Sequence, residues 1–137
     1  MNISLKGKRA LIGGSSRGLG FAVAKQLAHS GACVTLMSRN ENKLKEIVAN
    51  LESETKNKHN YLVVDFNNFS SFKTTILSFL KNNPIDILVN NTQGPKSGFI
   101  ENLSIDDYQD AFDLLFKSVV FTTISALPYM KKNNWGR

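Results

Sequence analysis

Three observations predict an α/β fold built on a doubly wound parallel sheet. Short apolar runs alternate with helical patterns four times between Lys8 and Lys132. The runs, such as Ala32-Cys33-Val34-Thr35-Leu36-Met37, are too continuously apolar to have one wet face, which marks strands covered on both sides. The first run leads into Leu11-Ile12-Gly13-Gly14-Ser15-Ser16-Arg17-Gly18-Leu19-Gly20, which holds four of the nine glycines, and a helical pattern follows from Phe21 to His29. In such a strand–turn–helix, a backbone without Cβ atoms lets a pyrophosphate reach the unpaired N–H groups at a helix N-terminus.

Residues 8–13 read as the first strand. The helix after it carries Leu19, Val23, Ala24 and Leu27 at helical spacing and stops at Gly31. The second strand, 32–37, ends at Ser38-Arg39-Asn40. A helix over 41–54 follows, with Leu44, Ile47, Val48 and Leu51 on one face. Tyr61 to Val64 is the third strand and ends at Asp65. After a turn at Asn67-Asn68, Phe69, Phe72, Ile76, Phe79 and Leu80 mark a third helix, which Pro84 stops. The fourth strand covers 85–90, and a loop covers 91–103. Ser104-Ile105-Asp106-Asp107 begins a long helix in the manner of a capping box. Its apolar stripe is Ile105, Tyr108, Phe112, Leu115, Val119, Thr123 and Leu127, and Pro128 stands where it would kink the last turns. Right-handed crossovers make the sheet doubly wound. Ligands bind such sheets at the carboxyl ends of the strands, here Gly13-Gly14, Ser38-Arg39, Asp65 and Asn90-Asn91.

The 137 residues amount to one domain, 1–137, with an ordinary apolar share of 42%. No signal-peptide pattern and no run of transmembrane length are read, so the expected location is cytoplasmic and no membrane partner is expected. One cysteine excludes an internal disulfide framework and a multi-cysteine zinc site. Cys33, at the start of a buried strand, reads as a small apolar filler. The net charge of +6 raises the class of nucleic-acid binders. The lysines are scattered, however, as at Lys43 and Lys45, Lys56 and Lys58, Lys131 and Lys132. Without interleaved aromatics they read as solvated faces, so no nucleic-acid partner is expected, and an anionic ligand accounts for part of the balance. His29 and His59 fall at element ends and read as surface or capping residues.

These motifs, in this order, resemble the short-chain dehydrogenase/reductase family, particularly its 3-oxoacyl-carrier-protein-reductase-like branch. The resemblance implies a Rossmann-type fold, of whose usual seven strands about four are present. The family's Thr-Gly-x-x-x-Gly-x-Gly is matched by Gly14, Gly18 and Gly20, with Gly13 in place of threonine. The turn Gly14, Ser15, Ser16, Arg17, Gly18, Leu19, Gly20 is thereby the expected cofactor cradle. An acid after the second strand would select NAD and a cation there NADP. Ser38 and Arg39, with Arg17 in the turn, therefore indicate NADP(H), since guanidinium suits phosphate. Asp65 is similar to the family's adenine-contacting aspartate, with a turn cap for the segment at Asn67 as the other reading. Asn90-Asn91-Thr92-Gln93-Gly94 is similar to the family's Asn-Asn-Ala-Gly segment, with Thr92 for alanine and Gln93 as an insertion-like departure. That segment, with Asn91 as its cofactor-binding residue, is implied to steady the sheet and line the adenosine-ribose side of the cofactor.

Leu115 occupies the position where many members carry a catalytic asparagine, with Lys117 and Ser118 nearby. The family's serine and Tyr-x-x-x-Lys, which together exchange the substrate proton, do not occur here. Two readings follow. One is an NADP(H)-dependent oxidoreductase acting on a carbonyl or hydroxyl small molecule, C-terminally truncated and inactive as it stands. The other is a non-catalytic nucleotide-binding or partner-binding module derived from such an enzyme. Self-association is expected through the long helix 105–132 or through the open edge of strand 85–90.

Overall fold

A computed structural model describes residues 3–137. Four strands, β1 (Arg9–Ile12), β2 (Cys33–Ser38), β3 (Asn60–Val63) and β4 (Ile87–Val89), form one sheet in the order β3-β2-β1-β4. Every pairing is parallel, with Leu11 facing Thr35 on one side and Leu88 on the other. The helices are α1 (Gly18–His29), α2 (Glu41–Thr55), α3 (Phe69–Asn82), α4 (Ile105–Phe112) and α5 (Ser118–Lys132), with a 3-10 turn at Ile100–Asn102. Strand alternation divides the core. Ala10, Ile12, Val34 and Leu36 point to one face and pack with Ala24, Ala28, Leu44, Ile47 and Leu51 of α1 and α2. Leu11 and Met37 point to the other and pack with Phe72 and Ile76 of α3 and Leu114 and Ala126 of the long helical stretch. β1 therefore lies between two oppositely wound halves, and the crevice opens where β1 and β4 end.

Several expectations shift in detail. β4 is shorter than 85–90, because Ile85 is buried in the core and Asp86 receives Arg9 N–H on its carboxylate at 2.8 Å. α1 starts at Gly18, three residues before Phe21, and its buried face is Gly20, Ala24 and Ala28. Leu19, expected in the core stripe, is 82% exposed. Small residues one turn apart set the helix close to the sheet and leave the larger ones outside.

The long helix brings the largest correction. It runs unbroken over Ile105–Lys132, but Asp113–Lys117 is a π-helical segment between α4 and α5. The extra residue in that turn rotates the pattern, so the buried face is Leu114, Ser118, Thr122 and Ala126. The expected stripe faces outward at Ile105, Tyr108, Phe112, Leu115 and Leu127. This helix also carries an 18-residue window of mean hydropathy 1.4, so a run with the length and composition to cross a membrane does exist. Pro128 lies inside the helix, which continues to Lys132 as the pattern predicts. The outer edge of β4 is not fully open either. Arg137 N–H donates to Asp86 O and Arg137 O accepts from Leu88 N–H, one rung of parallel pairing. Lys8 and Arg137 lie over the ring of Trp135 and tie this end of the chain to the sheet.

His29 is exposed and pairs with Glu54 at 2.9 Å, whereas His59 is buried. His59 Nδ1 accepts from Val34 N–H at 3.2 Å, one residue before β3 begins to pair with β2. Its Nε2 therefore carries the proton and donates to Thr55 Oγ1, which donates onward to Leu51 O. Burial lowers the His59 pKa below the usual 6.5. The unfolded chain thus binds a proton first as pH falls, and the stabilisation from neutral His59 is lost from about pH 6.5 downward. The carboxylates held low by their partners, Glu41, Glu52, Glu54 and Asp107, lose theirs as pH falls through the ordinary carboxylate range and below it. Urea unfolding at pH 7.5 and 5.5 is expected to show a drop for the wild type. His59→Asn keeps an acceptor for Val34 but does not titrate, and its stability is expected to be flat over that interval. An equal drop in the variant would exclude His59 as the cause.

Candidate functional site

The carboxyl ends of β1, β2 and β4 enclose a cavity of about 610 Å³. Just before the turn, Gly13 N–H still donates to Val89 O at 3.1 Å. Gly14 then turns the chain at φ +54°, and Gly18 turns it into α1 at φ +57°. Between them Ser15 is fully buried. Its Oγ accepts from Met37 N–H and donates to Ile12 O, both at 2.9 Å, so it bolts the turn to β2 and lies outside the cavity lining. Ser16 and Ser38 both line the cavity, and Ser38 Oγ donates to Ser16 Oγ at 2.9 Å. Asn40, Asn68 and Ser104 cap α2, α3 and α4 with their side chains. No side chain caps α1, whose start lines the cavity, which is the arrangement that suits an incoming anion.

The turn owes its shape to Asn91. Asn91 Nδ2 donates to Gly13 O at 3.0 Å and more weakly to Gly14 O at 3.4 Å. A Cβ on Gly13 would strike the Asn91 carbonyl, and one on Gly20 would lie 2.8 Å from Asn91 Nδ2 and 2.9 Å from Gly13 O. Glycine in place of threonine at position 13 thus has a physical reason, because the exit loop of β4 leans directly on it. Asn90 faces the other way and donates from Nδ2 to Thr123 Oγ1 at 3.1 Å, which joins β4 to α5.

Of the residues expected from sequence, Gly14, Ser16, Arg17, Gly18, Leu19, Gly20, Ser38, Arg39 and Asn91 line the cavity together. Ser15 does not, and neither does Asp65. Asp65 Oδ1 accepts from Asn67 N–H at 3.0 Å and its carbonyl accepts from Asn68 N–H, which is the turn-capping alternative; the neighbouring Val64 and Phe66 supply the wall instead. Thr92, Gln93 and Gly94 join the lining from the segment after β4 that the resemblance implies on the cofactor side, whereas sequence reasoning missed Asn40 and Lys43. For Lys43 a signal existed, since it stands one helical turn into α2 after Ser38-Arg39. Arg17, Arg39 and Lys43 are the charged residues of the lining, and it contains no carboxylate. Arg17 and Arg39 are exposed and form no ion pair among the described residues. Among the described residues no group of three metal-ligating side chains occurs. Burial raises the Cys33 pKa, which disfavours a thiolate.

Near the π-helical segment, Leu115 offers no polar atom. Ser118 Oγ is committed to Leu114 O, and Lys117 pairs with Asp113 at 3.6 Å while lying over the Phe69 ring.

Comparison with known proteins follows this geometry. The family model described as short chain dehydrogenase matches residues 8–137. A 3-oxoacyl-[acyl-carrier-protein] reductase of Chlamydia pneumoniae is 30% identical over 99% of this chain and 55% of its own length. The structure of L-sorbose reductase from Gluconobacter frateurii complexed with NADPH and L-sorbose superposes with a TM-score of 0.88 at 27% identity, over 97% of this chain and 51% of that one. A 3-oxoacyl (acyl-carrier-protein) reductase from Agrobacterium tumefaciens C58 with NADP bound also gives 0.88, at 29% identity over 98% of this chain and 52% of that one. The chain spans about half the length of the relatives it matches.

The Asn91 contact makes a quantitative expectation. Asn91→Ala strips a donor from two carbonyls and is expected to cost about 1–3 kcal/mol in urea unfolding. Asn91→Asp places oxygens against those carbonyls and is expected to cost more. An aspartate variant as stable as the wild type would contradict the assignment.

Proposed function

The chain belongs to the short-chain dehydrogenase family, and on that premise we propose that it binds NADP(H) in the cavity above β1 and β2, as the cofactor half of an oxidoreductase acting on a carbonyl or hydroxyl small molecule. The observation that carries this reading is the cavity's charge: Arg17, Arg39 and Lys43 without a carboxylate. An acidic residue after β2 would repel a 2′-phosphate, and Arg39 stands there instead. The residues fit the group. Gly18 leaves open space where the pyrophosphate would approach, the uncapped start of α1 offers N–H groups, and Ser38 and Arg39 would hold the adenosine ribose and its phosphate.

When bound, the dinucleotide supplies or accepts hydride at carbon. The part of these residues is to hold and orient it. Asn91 and Ser15 fix the turn, Ser16 and Ser38 fix its distance from β2, and the guanidinium groups neutralise phosphate. These residues are assigned cofactor binding, not proton transfer.

The outward apolar row Tyr108, Phe112, Leu115, Ile124 and Leu127 fits self-association through the long helix better than pairing at β4, whose edge Arg137 already engages. Sedimentation is expected to show a dimer that a Phe112→Glu, Ile124→Glu double variant converts to monomer. A monomeric wild type would exclude this surface.

For the cofactor, Arg39→Asp is expected to weaken NADPH binding at least about tenfold while leaving NADH binding nearly unchanged or improved. Equal loss for both would remove the 2′-phosphate assignment.

A further inference from the structure

Lys43 belongs to α2, not to the glycine turn, yet it reaches the same cavity. It also lines a second groove of about 440 Å³ between α1 and α2, which shares Ser16, Arg17 and Gly18 with the cavity. Lys43 therefore stands at the boundary between the two spaces. Glu46 lines only the groove. The lysine Nζ lies 3.1 Å from each Glu46 carboxylate oxygen, and both side chains are about half exposed.

This placement is electrostatically odd. The Lys43 backbone N–H is capped by Asn40 Oδ1, so its side chain leaves from the first turn of α2. That is the positive end of the helix, where acids are favoured and a cation is not. The Glu46 pair offsets part of the cost, but an exposed pair three residues apart is weak. A phosphate in the cavity would offer Lys43 a partner of higher charge without carboxylate competition in the lining.

We infer that Lys43 is a specificity-determining residue for the 2′-phosphate, acting beside Arg39, and that Glu46 is its partner when the cavity holds no phosphate. The inference rests on the NADP(H) reading. On arrival of the phosphate, Lys43 turns from the groove into the cavity, and only a side-chain rotation is required. Glu46 then acts as a mild competitor of the ligand.

Calorimetric titration with 2′,5′-ADP and 5′-ADP isolates the 2′-phosphate from the nicotinamide half. Lys43→Gln is expected to weaken 2′,5′-ADP about three- to fivefold, the worth of one exposed charge contact, and to leave 5′-ADP unchanged. Glu46→Gln is expected to tighten 2′,5′-ADP about twofold, again without effect on 5′-ADP. Both positions are exposed, and thermal melts of the variants check that each is folded. If Lys43→Gln alters both ligands equally, or neither, while Arg39→Gln still weakens 2′,5′-ADP selectively, the role of Lys43 is overturned and the NADP(H) reading stands. If Arg39→Gln also fails to discriminate, or the wild type binds neither nucleotide, the NADP(H) reading falls and this inference falls with it.

Discussion

Asn91 holds the carboxyl ends of β1 and β4 together with one amide group, which donates to the carbonyls of Gly13 and Gly14. The contact needs glycine at positions 13, 14 and 20. A methyl group at any of them would push the loop away, open the crevice and release the turn that carries Ser16, Arg17 and Gly18. Ser15 provides the second anchor from beneath, fully buried and bonded to both β1 and β2. With the turn fixed from two sides, α1 can begin without a side-chain cap and present its N–H groups to the cavity. The free groups at that helix start are tolerable because they face solvent and a ligand space instead of the core.

Charge then divides the surface. Seven of the seventeen lysines and arginines are engaged by carboxylates nearby, among them Lys25 with Glu54, Lys45 with Glu41, Lys58 with Glu52, Lys96 with Asp107 and Lys117 with Asp113. Arg17 and Arg39 are not, and they border the same cavity. Leaving two exposed guanidinium groups unpaired costs little in water, but it concentrates positive potential at one concave place.

Much of this was legible in the sequence. Strand–turn–helix order, the glycine spacing, the turn at Asn67-Asn68, the capping box at Ser104 and the stop at Gly31 are local signals, and local signals survive folding. Nine of the eleven expected cofactor residues do line one cavity. Ser15 and Asp65 were not separable from their neighbours, because whether a short polar side chain faces a ligand or its own backbone depends on a single turn of the chain. The face of the long helix was misread for a different reason. α4 buries none of its residues, and past it one π-helical turn at Asp113–Lys117 breaks a period of 3.6, which no residue in Asp-Leu-Leu-Phe-Lys announces. Lys43 was hidden by composition, where it looked like one more surface lysine until α2 brought it to the cavity wall.

The account stands on the cavity being a nucleotide site that reads a 2′-phosphate. The most direct measurement is amide NMR of the labelled chain titrated with NADPH and, separately, NADH. Saturable shifts are predicted at Ser16 to Gly20 for both nucleotides and at Ser38 to Lys43 mainly for NADPH, with tighter binding of NADPH. No saturable shifts at the glycine turn, or the same response and affinity for both nucleotides around Arg39, would contradict it.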